Sequence, residues 1–236
     1  MPLPLKHRNS KLVELMDTPG CDRERLELTY RHFSLINPLL TGWYRIYTQY
    51  ILPLARKRRS PISLLDVGCG GGDIPVRLGK WAAKDNIDMN ITAIDPDPRA
   101  LHYAGNRNHQ PSGNIKFSSE TAEELLHDNS SYDIVITNHV LHHLSDLHIP
   151  SFLEVLKQLA RHYVLANDIR RSSPGYLFFY LGTAMVPAFR HSFIRTDGLL
   201  SIRRSFTPGE LQKLTASLGY KVKKPHPFRL LALYEH

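Results

Sequence analysis

The chain is predicted to be an α/β protein, with a mostly parallel sheet covered by helices on both faces. Three observations predict this. From residue 62 onward, short apolar runs rich in β-branched residues alternate with helical stretches. A glycine turn, Gly68 to Gly72, joins the first such run to a helix. The last two strands are linked only by Pro225-His226-Pro227 and its neighbours, too short a link for parallel pairing, so they run antiparallel.

Taken in order, residues 10–58 read as helices. Leu12, Leu15 and Met16 share a face at i, i+3, i+4 spacing. Arg23 to Leu35 continues in that style, and Pro38 and Gly42 punctuate. An aromatic helix follows (Trp43, Tyr44, Tyr47, Tyr50), and Ser60-Pro61 ends the region. Residues 1–60 are thus expected to form a helical N-terminal cap on a main domain at 61–236. Strands are expected at Ile62–Val67, Asn90–Ile94, Ile115–Ser118, Tyr132–Thr137 and Tyr163–Asn167. Helices at Pro75–Lys84, Arg99–Arg107, Ala122–Leu126 and Ile149–Leu159 separate them. That alternation implies a parallel sheet with both faces covered. Residues 170–206 interrupt it as an aromatic insertion after the fifth strand. Thr207-Pro208-Gly209-Glu210 then carries an N-cap, a proline at the first helical position and a capping-box acid. This last helix runs to Leu218 and stops at Gly219, before strands near Tyr220–Lys223 and Arg229–Tyr234.

A chain of 236 residues with 42% hydrophobic and 22% charged residues is an ordinary globular composition. Of the net charge of +8, residues 1–60 supply +6, including Arg56-Lys57-Arg58-Arg59. Such an arm suits nucleic acid or an anionic membrane surface, but no RNA-binding motif accompanies it. A solvated helix end is the simpler reading. The two cysteines, one inside the glycine turn, are expected to stay reduced in a cytoplasmic protein. No signal peptide is seen, and the apolar run Tyr176 to Phe189 is too short to span a bilayer.

The glycine spacing selects the ligand. A dinucleotide fingerprint places its third glycine where this chain has Asp73, and Asp66 precedes the turn. Two carboxylates serve a pyrophosphate poorly. They tolerate a ligand with a sulfonium, an amine and a ribose. The run Leu64-Leu65-Asp66-Val67-Gly68-Cys69-Gly70-Gly71-Gly72-Asp73 resembles the nucleotide-binding loop of class I S-adenosylmethionine-dependent methyltransferases. The resemblance implies a Rossmann-like seven-stranded sheet with an antiparallel C-terminal hairpin strand. It also implies S-adenosylmethionine as cofactor and S-adenosylhomocysteine as product. Gly68 and Gly70, with Cys69 between them, would let the backbone approach the methionine half. Asp95, followed by Pro96, closes the second strand and would accept both ribose hydroxyls, with Asp97 as the alternative. Where the family commonly has an aspartate toward the adenine amine, this chain offers Glu120 or Thr121. Asn138 and His139 end the fourth strand at the ligand edge.

The family's chemistry implies in-line methyl transfer, and a phenolic acceptor must also lose a proton. The candidate bases are His139, His142 and His143, with His191 and Asp168 further candidates. The Val140-to-Leu144 string recurs in relatives of different chemistry, so a scaffold role competes. No Cys/His cluster has metal-ligand spacing, and no Asn-Pro-Pro-Tyr or Pro-Cys motif points to nucleic-acid bases. The insertion's aromatics, with Trp43, Tyr44 and Tyr47, point to an aromatic or apolar small molecule. Arg170, Arg171, Arg190 and Arg195 beside it suit a carboxylate or a peripheral membrane approach. Glu14-Leu15-Met16-Asp17, Leu35-Ile36-Asn37 and the stretches 195–201 and 203–211 resemble a bacterial subgroup found beside type III polyketide synthases. That implies O-methylation of a phenolic or quinol-like polyketide. Carbon methylation of such a ring, an RNA or protein methyltransferase using the basic arm, and a non-catalytic binder are the alternatives.

Overall fold

The computed structural model describes residues 5–58, 60–107 and 114–236. Arg59 of the basic run and Met1 to Pro4 lie outside them. Seven strands form one sheet: β1 (Ile62–Val67), β2 (Met89–Ile94), β3 (Asn114–Ser118), β4 (Tyr132–Asn138), β5 (Ala160–Ile169), β6 (Lys221–Lys223) and β7 (Arg229–Glu235). Their order is β3-β2-β1-β4-β5-β7-β6. The first five are parallel, and β7 runs antiparallel to both β5 and β6, as the short final link requires. The order reverses between β1 and β4, so a crevice opens there at the carboxyl ends of the strands.

The sheet's two faces bury different residues of the same strands, because side chains alternate along a strand. Leu65, Val135, Leu230 and Ala232 face one core; Leu64, Ile134, Ile136, Leu231 and Leu233 face the other. Before β1 come α1 (Arg23–Leu40), α2 (Trp43–Ile46) and α3 (Leu52–Lys57). A π turn at Tyr47–Ile51 joins α2 to α3. Trp43, Ile46, Tyr47, Ile51 and Ala55 are buried on the second face, where α4 (Asp73–Lys84) also packs. Thus residues 43–57 form part of the helical layer on the sheet, and only the chain before them stands over the ligand crevice. After β2 comes α5 (Pro98–Arg107). The first face is covered by α6 (Ala122–His127), α7 (His148–Leu159) and, farther along, the helix at Pro208–Thr215.

Two expectations for the N-terminal region need correction. Leu12 is not helical, and only a 3-10 turn forms, at Leu15–Asp17. The backbone N–H groups of Leu15 and Met16 donate instead to the Asp197 carboxylate, at 3.0 and 2.9 Å. Nor does Pro38 end its helix, since α1 continues to Leu40. A proline leaves the carbonyl four residues earlier without its helical donor. Here Arg77 of α4 supplies one, its Nη2 lying 3.1 Å from the Ser34 carbonyl.

The insertion forms α8 (Ser173–Ala184) and α9 (Ile194–Arg204), and the last helix is α10 (Pro208–Thr215). Thr207 and Glu210 make the expected capping box, and Gly219 ends the following turn with φ 84°. The insertion and the N-terminal segment pack together as a roof. His32 meets Ser192 at 2.9 Å, and Thr29 Oγ1 accepts from the Phe193 N–H at 2.9 Å. Among the described residues, no helix is long and apolar enough to cross a membrane. Cys21 and Cys69 are free thiols.

Candidate functional site

Two cavities meet at the carboxyl edge of the sheet. The first holds about 1140 Å³ of space, partly open to solvent, and lies over the glycine turn. Gly68, Gly70 and Gly72 all have positive φ, and a Cβ on Gly68 would stand 2.5 Å from the Val140 side chain. The turn therefore needs glycine for both backbone conformation and close approach. Of the residues expected to hold a cofactor, Asp66, Gly68, Cys69, Gly70, Asp73, Asp95, Pro96, Asn138 and His139 all line this cavity.

Glu120 and Thr121 do not line it. Thr121 caps α6, and Glu120 accepts from the Ser118 hydroxyl at 2.5 Å beside a separate shallow pocket. The capping box that starts α6 engages both the side chain and the N–H of Thr121. Sequence reasoning also missed Glu14, Asp17, Tyr30, Phe33 and Asn37, which come down from the N-terminal roof. Glu14, Asp17 and Asn37 had one sequence signal, the likeness at Glu14 to Asp17 and at Leu35 to Asn37; Tyr30 and Phe33 had none.

Charge distinguishes this cavity. Six carboxylates line it (Glu14, Asp17, Asp66, Asp73, Asp95 and Asp97), and among the described residues no Lys or Arg does. Burial raises the pKa of Asp66 well above the usual carboxylate range, and its neighbours Asp73 and Asp95 raise it further. Burial also raises Asp73 and Asp95. Asp66 Oδ1 is buried with no hydrogen-bond partner. Asp95 accepts from the Gly70 N–H at 2.8 Å and the Asp97 N–H at 2.9 Å, one on each oxygen. Each oxygen keeps a further lone pair for a ligand. Asp97 is instead committed to Arg99, whose Nη2 is 2.7 Å away. Asn138 Oδ1 accepts from Trp43 Nε1 at 2.9 Å and Asn167 Nδ2 at 3.2 Å, so its NH₂ end is left for a ligand.

The three histidines have separate fates. His139 sits between the two cavities in a left-handed conformation, φ 64°. Its Nε2 accepts from Arg229, and its pKa is held well below the ordinary value by burial and then by that guanidinium. A neutral imidazole whose lone pair faces a cation is a poor proton acceptor.

His142 is 1% exposed and lines neither cavity. Its Nδ1 lies 2.6 Å from Asp168 Oδ1, and its N–H donates to Asp168 Oδ2 at 2.8 Å. Its Nε2 lies 3.3 Å from Glu14 Oε1, off the line of a good hydrogen bond. Burial opposes the charged form, but Asp168 and Glu14 outweigh it and raise the pKa to about 9. His142 is thus a sealed cation bridging two acids, and the structure gives it a scaffold role.

His143 lines the first cavity, with Nδ1 3.0 Å from Asp17. No metal cluster was expected from spacing, yet the fold gathers Glu14, His142 and His143 with ligand atoms within 4.8 Å. The proton on His142 competes for that position. His191 lies in a 3-10 turn of the insertion and lines neither cavity.

The second cavity encloses about 660 Å³, partly open, between α1, α8 and α9. Phe33, Ile36, Phe178, Phe179, Ile194 and Phe228 make it apolar. Phe33, Asn37 and His139 line both cavities, so the two are contiguous. Arg171 is consumed by Glu210 at 2.5 Å and by backbone carbonyls, and so is not a ligand for an acceptor. Arg56 and Lys57 of the basic run end α3 just before β1, at the amino edge of the sheet. That is a strand length, ~20 Å, from both cavities. Arg58 there pairs with Asp133 at 2.7 Å.

Comparison with known proteins agrees with this fold. Residues 64–163 match the family described as "Methyltransferase domain". The chain is similar to a ubiquinone biosynthesis O-methyltransferase of Methylocella silvestris, 26% identical over 171 residues. The match covers 70% of this chain and 62% of that protein, so the chain spans less than two thirds of that relative's length. Among solved structures it is similar to the plantazolicin methyltransferase BpumL in complex with S-adenosylhomocysteine. The TM-score is 0.60 at 16% identity, covering 91% of this chain and 95% of that one. Human N-acetylserotonin methyltransferase in complex with S-adenosylmethionine gives a TM-score of 0.62 at 16% identity, covering 91% and 56%. The fold is that of the methyltransferases, and residues 64–163 match their domain family.

Proposed function

We propose that this chain is an S-adenosylmethionine-dependent O-methyltransferase acting on an apolar, aromatic small molecule, phenolic or quinol-like and of polyketide type. The observation that carries the reading is the acidic, glycine-floored cavity that opens directly into an apolar one. Six carboxylates without a lining cation disfavour a pyrophosphate and favour a ligand bearing positive charge and hydroxyl donors. The residues fit that ligand. Asp95 would hold the ribose hydroxyls, the Gly68–Gly70 backbone the methionine half, and Asp66 and Asn138 its amino-acid end. When bound, S-adenosylmethionine supplies an electrophilic methyl group on a sulfonium.

The protein's own part is to place the acceptor. Phe178, Phe179 and Phe228 exclude water, and His139, held neutral, stands where the two cavities meet. Much of the rate of such a displacement comes from positioning. No histidine in the described residues is both exposed to the acceptor cavity and free to take a proton, which favours an acceptor that ionises readily.

Calorimetry with S-adenosylmethionine, S-adenosylhomocysteine and NAD tests the cofactor. The first two are expected to bind and NAD not to. Asp95→Ala is expected to weaken binding by about 1–3 kcal/mol, the range for a lost hydrogen bond to a charged group. Unchanged affinity removes Asp95 from the site, and absence of S-adenosylmethionine binding overturns the reading. Mass spectrometry of phenols and quinols incubated with the protein then reports methyl gain.

A further inference from the structure

The apolar cavity has few polar residues in its lining, and one of them is Arg229, 5% exposed. Its Nε donates to the Leu40 carbonyl at 2.6 Å, and its Nη1 donates to Nε2 of His139. Among the described residues it makes no ion pair. Asp168, the acid that acts on it electrostatically, is bound to His142. Burial lowers its pKa to about 10, so it remains charged at neutral pH. Arg170 lines the same cavity, and its Nε is buried without a hydrogen-bond partner.

A buried cation without a directly paired anion costs several kcal/mol. Capping one carbonyl and one imidazole uses two of its five N–H donors, and the acid that acts on it, Asp168, is already bound to His142. The backbone beside this group is left-handed at two non-glycine residues. His139 and Phe228 have φ of 64° and 62°, left-handed values that asparagine tolerates better. One touches Arg229 and the other precedes it. Such residues persist where surrounding packing fixes them, and they cluster at ligand sites.

Resting on the methyltransferase reading above, we propose that the acceptor is an apolar acid whose oxyanion is bound by Arg229 at the His139 end of the cavity. The oxyanion, a carboxylate or an ionised phenol, is itself the nucleophile. Its oxygen forms the bond to the methyl carbon, the carbon–sulfur bond breaks, and that electron pair stays on sulfur. The acceptor becomes a neutral ester or ether, and the sulfonium becomes a thioether. No proton moves, so no general base is needed, in keeping with the sealed His142 and the occupied lone pair of His139. Arg229 therefore acts as a binding and specificity residue.

The test uses the full chain saturated with S-adenosylhomocysteine. Calorimetry compares matched pairs: 4-butylbenzoate with 4-butylbenzamide, decanoate with decanamide, and 4-butyl-2,6-difluorophenol, ionised at assay pH, with its methyl ether. At least one acid is expected to bind ten-fold or more tightly than its neutral partner. Arg229→Gln is expected to erase that preference without changing affinity for the neutral partner. Arg229→Lys, which keeps the charge, is expected to retain part of it. Affinity for S-adenosylhomocysteine and the melting temperature report folding of each variant. Equal affinity within every wild-type pair overturns the proposal, as does a preference that survives in a folded Arg229→Gln protein. If Arg229→Gln does not fold, Arg229→Lys and the wild-type pairs decide. With S-adenosylmethionine, a base-labile methyl product identifies a carboxylate acceptor and a base-stable one a phenol. Failure of S-adenosylmethionine to bind overturns the methyltransferase reading, whereas its binding without acid preference overturns this inference alone.

Discussion

Asp168, His142 and Glu14 illustrate how single residues here serve the scaffold through charge. His142 bridges the two acids out of reach of solvent. Its pKa is raised from its ordinary value near 6.5 to about 9 in the fold. A histidine protonated more readily folded than unfolded stabilises fully below its unfolded pKa, and the effect fades as pH rises through the folded one. Thermal stability is therefore expected to decline between about pH 6.5 and 9, measured by melting in a pH series. Asp168→Asn is expected to cost about 3–5 kcal/mol in denaturant melts, the range for breaking a buried pair. It is also expected to flatten that decline. A fall in stability unchanged by Asp168→Asn would assign it to another group. The sequence supplied the three adjacent candidates His139, His142 and His143 but could not rank them. Rank depends on Arg229, Glu14 and Asp168, which are far from them in the chain.

Among the elements, α1 and α9 owe their form to partners elsewhere in the chain. α1 passes through Pro38 because Arg77 of α4 donates to the Ser34 carbonyl at 3.1 Å. Arg77→Met is expected to cost about 0.5–1.5 kcal/mol in stability by chemical denaturation, the net worth of an ordinary hydrogen bond. No change would mean that water satisfies that carbonyl. In α9, Gly198 leaves room for the Phe179 ring, and a Cβ there would collide with it. Gly198→Ala is expected to push Phe179 into the acceptor cavity, at about 1–3 kcal/mol of overpacking strain. Acceptor affinity should fall while S-adenosylhomocysteine affinity stays, a split that calorimetry on each ligand reads directly. Elements governed by local rules were legible: the glycine turn, the Thr207–Glu210 capping box and the Gly219 stop. Residues 10–17 were not, because the backbone N–H groups of Leu15 and Met16 bind Asp197, about 180 residues away.

In the whole molecule, a roof assembled from the N-terminal segment and the insertion covers a sheet edge. Residues 14–17 lie over the acidic cavity and are anchored to α9 by Asp197 and by Ser201, whose hydroxyl donates to Glu14 at 2.8 Å. Ligand binding there is expected to stabilise the whole fold. At a concentration about 100 times its Kd, S-adenosylhomocysteine should add about 2.7 kcal/mol, seen as a rise in melting temperature that NAD does not produce. An equal rise with NAD would contradict the charge argument. By itself the sequence determined the strand–helix alternation, the antiparallel end and the ligand loops after β1, β2 and β4. Those follow from periodicity and turn chemistry within a few residues. Only the tertiary structure decided which acids surround the acidic cavity, which histidine lines the apolar one, and that Arg229 stands beside it. β7 runs antiparallel to β5, pairing Arg229 with Ile169 and so carrying the start of the last strand to the carboxyl edge of the sheet. A residue at one end of the chain meets His139 only because the sheet closes that way, and no local pattern records it.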